Sequence, residues 1–295
     1  MPASGIPGDP DGDRLVLLGT KGGPALRTAT RMPTSSLLVI DGSRCIIDCG
    51  LGVTRNAVAA GLALTDIDAI FITHLHSDHV LELGPLLHTA WTSGLDRRIR
   101  VHGPRGIQDC LDHFLQSMRF DIDLRIEDEG RVDLRDLVEV IEFGQGEIDF
   151  PFCRVSALRV EHPPVVECYA VRFDTEGWSV TFSSDTAWFP PLVEFAESSD
   201  ILVHEAMLAG GIDWIVSRTG NADRLREHLH ASHTLPAQAA AIARDAGVAH
   251  LVLHHLVPPD CPWITDSDWI EEVRGVWDGE LSIGHDLLEV RRGRQ

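Results

Sequence analysis

The sequence predicts an α/β fold in which β-sheets are covered by helices. Three observations carry that prediction. Short apolar runs of strand length recur in both halves of the chain, helical segments interleave with them, and no Gly/Ser linker, low-complexity stretch or composition break divides the 295 residues. A chain of this length can bury one large core or two smaller ones, and the undivided composition favours one.

Taken in order, strands are expected at 15–18, 36–40, 45–48 and 69–72, with a helix at 53–61 between the last two. Helices are expected at 80–88 and 107–119. Further strands follow at 138–143, 153–160, 169–173, 179–183 and 201–204. The clearest helix is 235–246, where Thr234 stands as an N-cap, Pro236 in the first turn and Gly247 just past an Ala-rich interior. A strand at 251–255 and a helix at 266–276 close the pattern. The stretch 1–13, rich in Pro, Gly and Asp and without an apolar run, reads as a loose tail rather than a signal peptide, and 14–295 as the domain.

A formal net charge of -20 argues against nucleic acid or an anionic membrane as the main partner. The basic residues are almost all Arg, with Lys21 the one lysine. Six cysteines (Cys45, Cys49, Cys110, Cys153, Cys168, Cys261) form no C-x-x-C pair, so reduced thiols in a cytoplasmic setting are expected.

Residues 71–79 read Phe-Ile-Thr-His-Leu-His-Ser-Asp-His. His74, His76, Asp78 and His79 thus follow an apolar strand and sit in a loop that can turn side chains toward two centres, a spacing that suits a pair of metal ions. Three more residues stand where strands end. His162 precedes Pro163-Pro164, Asp185 follows Val180-Thr-Phe-Ser-Ser, and His255 precedes Val257-Pro-Pro. Each alone reads as a strand-end or surface residue, but their shared position lets distant residues converge on one rim.

His74-x-His76-x-Asp78-His79 followed by His162, Asp185 and His255 resembles the metallo-β-lactamase superfamily of dinuclear hydrolases, over nearly the whole chain. More narrowly it resembles the ribonuclease Z and arylsulfatase-like branch, through Leu18-Gly19-Thr20-x-Gly22-Gly23, Asp48-Cys49-Gly50, Phe182-Ser183-Ser184-Asp185-Thr186, Val203-His204-Glu205-Ala206 and Ser232-His233-Thr234. The resemblance implies an αββα sandwich, two mixed sheets flanked by helices. It implies one metal on His74, His76 and His162, another on Asp78, His79 and His255, and Asp185 bridging. Two Zn²⁺ suit His and carboxylate donors, with Mn²⁺ or Fe²⁺ as alternatives. Because side chains alternate along a strand, only one of His254 and His255 should face the metals, and the resemblance selects His255.

The implied chemistry is metal-assisted hydrolysis by an activated hydroxide, with Asp78 orienting the nucleophile and His233 protonating the leaving group. For His233 a purely structural place beside the helix at 235–246 is the other reading. His204 and Glu205 could orient His233 or a ligand, or simply end a strand. Asp48 is expected to support the metal loop. Gly19–Gly23 lacks phosphate-loop spacing and reads as a loop near the site rim. His88 with Trp91 could line the pocket.

Only 22 residues separate His162 from Asp185, too few for the exosite arm of tRNA-processing enzymes of that branch. The chain instead spends length at 206–231, where Met207, Leu208, Ile212, Trp214 and Ile215 are too apolar for an idle loop. A cap over the site or a homodimer contact is expected there, with Trp214 at the pocket. These features favour a small organic substrate (ester, lactone, amide, sulfate or phosphodiester). A ribonuclease Z-like phosphodiesterase or nuclease is the alternative, and a mononuclear-metal, non-hydrolytic protein the third.

Overall fold

The computed structural model describes residues 12–219 and 222–291, so most of the expected tail at 1–13 lies outside the described residues. Its central strands are buried on both faces, and this explains why they read as continuous apolar runs. In β1 (Arg14–Gly19) every residue is buried. Leu15 and Leu17 pack into a core between two sheets, while Val16 and Leu18 pack into an outer core beneath helices.

The first sheet holds β1, β2 (Ser35–Ile40), β3 (Ser43–Ile47), β4 (Ala69–Phe71), β5 (Ile99–Gly103) and β6 (Val138–Glu142). The second holds β7 (Gly146–Ile148), β8 (Arg154–Arg159), β9 (Tyr169–Asp174), β10 (Ser179–Phe182), β11 (Ile201–Met207), β12 (His250–Val257) and β13 (Glu280–Ile283). Last in the chain, β14 (Glu289–Arg291) returns to pair with β1. Both sheets are mixed: β3 to β6 pair in parallel, as do β10 to β13, and the remaining pairs are antiparallel.

The sheets pack face to face through Leu38, Phe71, Phe173, Val203 and Val252. Helices Val53–Ala59, Leu83–Thr92 and Ile107–Ser117 cover the first sheet, and Pro236–Ala246 and Asp266–Arg274 the second. The result is an αββα sandwich. Each parallel strand run delivers its C-terminal ends to one edge, and the loops that leave those ends carry the chemically able residues.

Several elements depart from the sequence reading. The helix expected at 80–88 is a short turn, Ser77–Val80, followed by Leu83–Thr92. The break falls at Glu82, whose carboxylate accepts from Gly52 N and Thr54 N and ties this corner to the preceding helix. The helix at 107–119 continues after a break at Met118 as Arg119–Glu129. Strands β5, β7, β13 and β14 lie outside the expected set, and in β5 Arg100 and His102 interrupt the apolar run.

The N-cap of the 236–246 helix is Leu235 rather than Thr234, with Leu235 N donating to Gln238 Oε1 at 2.9 Å. Thr234 donates instead to the Thr186 carbonyl at 2.6 Å and so pins the Asp185 loop. Gly247 closes the helix with φ 66°, the left-handed geometry that glycine tolerates at this position. All six cysteines are free. Among the described residues no helix is long and apolar enough to cross a membrane.

Candidate metal centre

Strand β4 ends at Phe71, and the loop behind it carries His74, fully buried, and His76, half-buried. The turn Ser77–Val80 then brings Asp78 and His79 back inward. Asp48 holds this loop from β3. Its carboxylate accepts from Thr73 N at 2.8 Å, Thr73 Oγ1 at 2.9 Å and His79 Nδ1 at 2.8 Å. Such a carboxylate fixes the His79 tautomer with the proton on Nδ1 and leaves Nε2 as a donor lone pair.

The seven residues expected to ligate converge in two groups that share Asp185. In the first, His76 Nδ1 lies 3.1 Å from both His74 Nε2 and His162 Nε2. That spacing is close to the edge of a tetrahedron of nitrogens around zinc, about 3.3 Å for Zn–N bonds of about 2.0 Å. His162 Nδ1 donates to the Ser232 carbonyl at 2.9 Å, which directs its Nε2 lone pair to the cluster. In the second, His255 Nε2 lies 3.3 Å from Asp78 Oδ2 and 3.0 Å from Asp185 Oδ2, and His79 Nε2 lies 3.3 Å from the same Asp185 oxygen. Asp185 Oδ2 is also 3.8 Å from His74 Nε2 and from His162 Nε2, which makes it common to both groups.

These donors fit metal ions. His79 Nε2 and Asp185 Oδ1 are fully buried and have no hydrogen-bond partner, an expensive arrangement unless a cation completes them. Electrostatics agrees. Burial opposes charge on His255, but Asp185 and Asp78 outweigh it and push its pKa up to about 10. Burial likewise disfavours ionised Asp185, yet His255 and His79 hold it well below the usual carboxylate range. Two buried carboxylates thus call for positive charge at the point where the lone pairs meet.

Backbone strain concentrates here. Asp48 (φ 60°), Ser184 (φ 57°) and His255 (φ 43°) all adopt left-handed conformations without being glycine. His255 is the extra residue of a bulge, because Glu205 pairs with His254 and Ala206 with Leu256. Unbroken alternation from Val252, which faces the other sheet, would have aimed His254 inward and His255 away. The bulge instead turns His255 to the carboxylates, while His254 Nε2 donates to the Gly19 carbonyl at 2.8 Å and links the two sheets.

Beside the two groups stands His233. Its Nδ1 is 3.1 Å from Glu205 Oε1, and its ring stacks on His255 with centroids 5.5 Å apart. Glu205 is locked by Thr186 N at 3.0 Å and Thr234 N at 3.3 Å. Burial works against a charged His233, but Glu205 outweighs it and raises the pKa. His204, by contrast, does not reach His233. It lies on the opposite face of β11, with Nδ1 on the Glu205 carbonyl at 2.7 Å, and burial pushes its pKa down to about 4. The sequence reading ended this strand at His204, whereas β11 runs on to Met207.

A cavity of about 380 Å³ opens over the cluster. Its floor is His76, Asp78, His162, Asp185, His233 and His255, and Trp214, Ile215, Leu225 and Leu229 form an apolar wall. That wall comes from helices Ile212–Val216 and Ala222–Ser232, within the stretch expected to cap the site. His88 and Trp91 are elsewhere: His88 Nε2 pairs with Asp121 at 2.9 Å, and Trp91 Nε1 donates to the Val132 carbonyl. The lining also holds residues that the sequence does not assign, His228 and Lys21 among them. His228, with its ring 6.1 Å from that of His162, could have been found from the helical spacing of Leu225, His228, Leu229 and Ser232. Lys21 could have been found as a lone lysine in a glycine run.

Comparison with known proteins agrees with this geometry. The sequence pattern of the family described as Anti-Pycsar protein Apyc1 matches residues 14–219. The ribonuclease Z of Mycolicibacterium gilvum is 32% identical over 283 residues, covering 94% of this chain and 95% of that protein. Among solved structures, the metallo-β-lactamase fold protein YhfI from Bacillus subtilis superposes with a TM-score of 0.71 at 20% identity, over 95% of this chain and 99% of its own. The short form of human tRNase Z does so with a TM-score of 0.65 at 20% identity, over 94% and 98%. The chain therefore belongs to the Anti-Pycsar Apyc1 family and is a metallo-β-lactamase superfamily hydrolase related to ribonuclease Z.

Proposed function

We propose that the protein is a metal-dependent phosphodiesterase of the ribonuclease Z kind, with two Zn²⁺ as its resident ions. The observation that carries this reading is the His233–Glu205 pair beside the two ligand groups. A phosphodiester with an alkoxide leaving group needs a proton at the departing oxygen, and a buried imidazole whose pKa a locked carboxylate raises can supply it. Metal ions held by the two groups would supply Lewis acidity toward a phosphoryl oxygen and a nucleophile at neutral pH. Asp185 keeps both groups in register through one shared oxygen, and Asp78 offers a carboxylate on the cavity side. Lys21 and Arg27 add positive charge to the lining, which suits an anionic substrate. The ribonuclease Z relatives support this over the carboxyl ester, lactone, amide and sulfate substrates, and they bring nucleic acid back despite the acidic net charge.

A second reading keeps the chemistry and shrinks the substrate. The residues between His162 and Asp185 fold as a hairpin, β9 paired with β10, so no arm extends from this position. The apolar wall at Trp214 and Ile215 suits one compact organic group better than a long polynucleotide. The discriminating experiment assays metal-loaded protein against bis(p-nitrophenyl) phosphate, a structured RNA, p-nitrophenyl acetate and an aryl sulfate. Phosphodiester turnover well above the other classes is expected. RNA cleavage selects the first reading, and diester turnover without it selects the second. Turnover of the acetate or sulfate with none of either diester would overturn both.

A further inference from the structure

Beyond the charge that it adds to the lining, Lys21 is only 3% exposed, and it is the one lysine among 25 basic residues. Burying an ammonium is costly unless its protons are used. Here Nζ donates to the carbonyls of the next two residues, Gly22 at 3.0 Å and Gly23 at 2.7 Å. Gathering two successive carbonyls onto one small cation folds the chain into a turn. A compact ammonium can do this, whereas a planar guanidinium presents its donors in a rigid fork.

What the turn presents on its other side is the Gly23 N–H, which donates to Asp78 Oδ2 at 2.7 Å. The same turn abuts the partner ligand of Asp78. A Cβ on Gly22 would lie 2.8 Å from the His255 ring, so only glycine fits there. Gly23 in turn needs its φ of 78°. The ends are fixed by Lys21 N on the Met32 carbonyl at 3.0 Å and Gly22 N on the Leu256 carbonyl at 3.0 Å, next to His255.

We infer that Lys21 is a positioning residue: it sets the Gly22–Gly23 turn that orients the Asp78 carboxylate and seats His255, and thereby determines how tightly the Asp78–His79–Asp185–His255 group holds its ion. This rests on reading those residues as a metal centre. Supporting partners of ligating carboxylates typically govern metal affinity by about 10–100-fold. The group formed by His74, His76 and His162 has no contact with this turn and should be spared.

The test titrates the full-length protein with Zn²⁺ against a chromophoric chelator and obtains both dissociation constants, for wild type and for Lys21→Met, which keeps the length and removes the donors. Thermal unfolding is followed in parallel. If Lys21→Met does not fold, Lys21→Gln, which retains one donor group, replaces it. The expected result is that one Zn²⁺ constant weakens by about 10–100-fold and the other changes less than about threefold. Lost kcat should then recover at excess Zn²⁺, with substrate KM little changed. Two unchanged zinc constants would overturn the inference, and a raised KM beside them would make Lys21 a substrate contact. Wild type that binds no zinc would instead sink the metal-centre reading itself.

Discussion

Asp78→Ala is expected to abolish phosphodiester turnover while leaving the chain folded. Asp78 lines the cavity, and its Oδ2 lies 3.3 Å from His255 Nε2 in the second ligand group. Removing it leaves His79, His255 and Asp185 to hold the ion and strips the cavity floor of the carboxylate that faces substrate. Loss of one catalytic metal contact forfeits several kcal/mol of transition-state stabilisation, at least about a thousandfold in rate. The fold should survive because the β-sandwich core does not include this side chain. Removing a buried carboxylate also relieves its repulsion from Asp185, which in isolation opposes ionisation of Asp78. Circular dichroism and thermal unfolding check the fold, and kcat/KM checks the rate. Unchanged activity would remove Asp78 from the mechanism.

His233→Ala should slow poor leaving groups far more than good ones. An alkoxide leaves badly without a proton, so loss of the buried imidazole costs about 10²–10⁴-fold. A p-nitrophenolate leaves readily unprotonated, and its rate should fall less than about tenfold. The signature is a steeper dependence of kcat/KM on leaving-group pKa in the variant. Glu205→Gln, which keeps the shape but loses the charge that raises the His233 pKa, should move the same way to a smaller degree. An equal loss for both leaving groups would make His233 a structural residue of the Thr234–Leu235 corner.

The sandwich and the cluster were legible in the sequence for the same reason. Strands buried on both faces read as apolar runs, and chemically able residues where those runs stop share an edge once the strands are parallel. His74, His162 and Asp185 follow that rule, His255 is a bulge residue inside β12, and Asp48 could be read from its turn. What the sequence hid depends on contacts far along the chain. Strict alternation points His254 inward, where it bonds Gly19 of the other sheet, and only the bulge opposite Glu205 and Ala206 turns His255 to the cluster as well. Alternation from Val203, a residue of the core between the sheets, puts Glu205 on the site face of β11 and His204 on the other. Lys21 and His228 carry only faint local signals, a lone lysine in a glycine run and a place on an apolar helical stripe. Lys21 acts through a turn that meets Asp78 55 residues later, and His228 acts through a helix whose packing over the cavity is tertiary.

Two ion-binding groups that share Asp185 should work as one phosphodiesterase centre. The most direct measurement strips the protein with chelator, titrates Zn²⁺ back, and follows bis(p-nitrophenyl) phosphate turnover against zinc bound per chain. Negligible turnover is expected without metal, and a rise that levels off at two equivalents, matching the two groups that share Asp185. Full turnover in stripped protein, or a plateau reached at one equivalent, would contradict this.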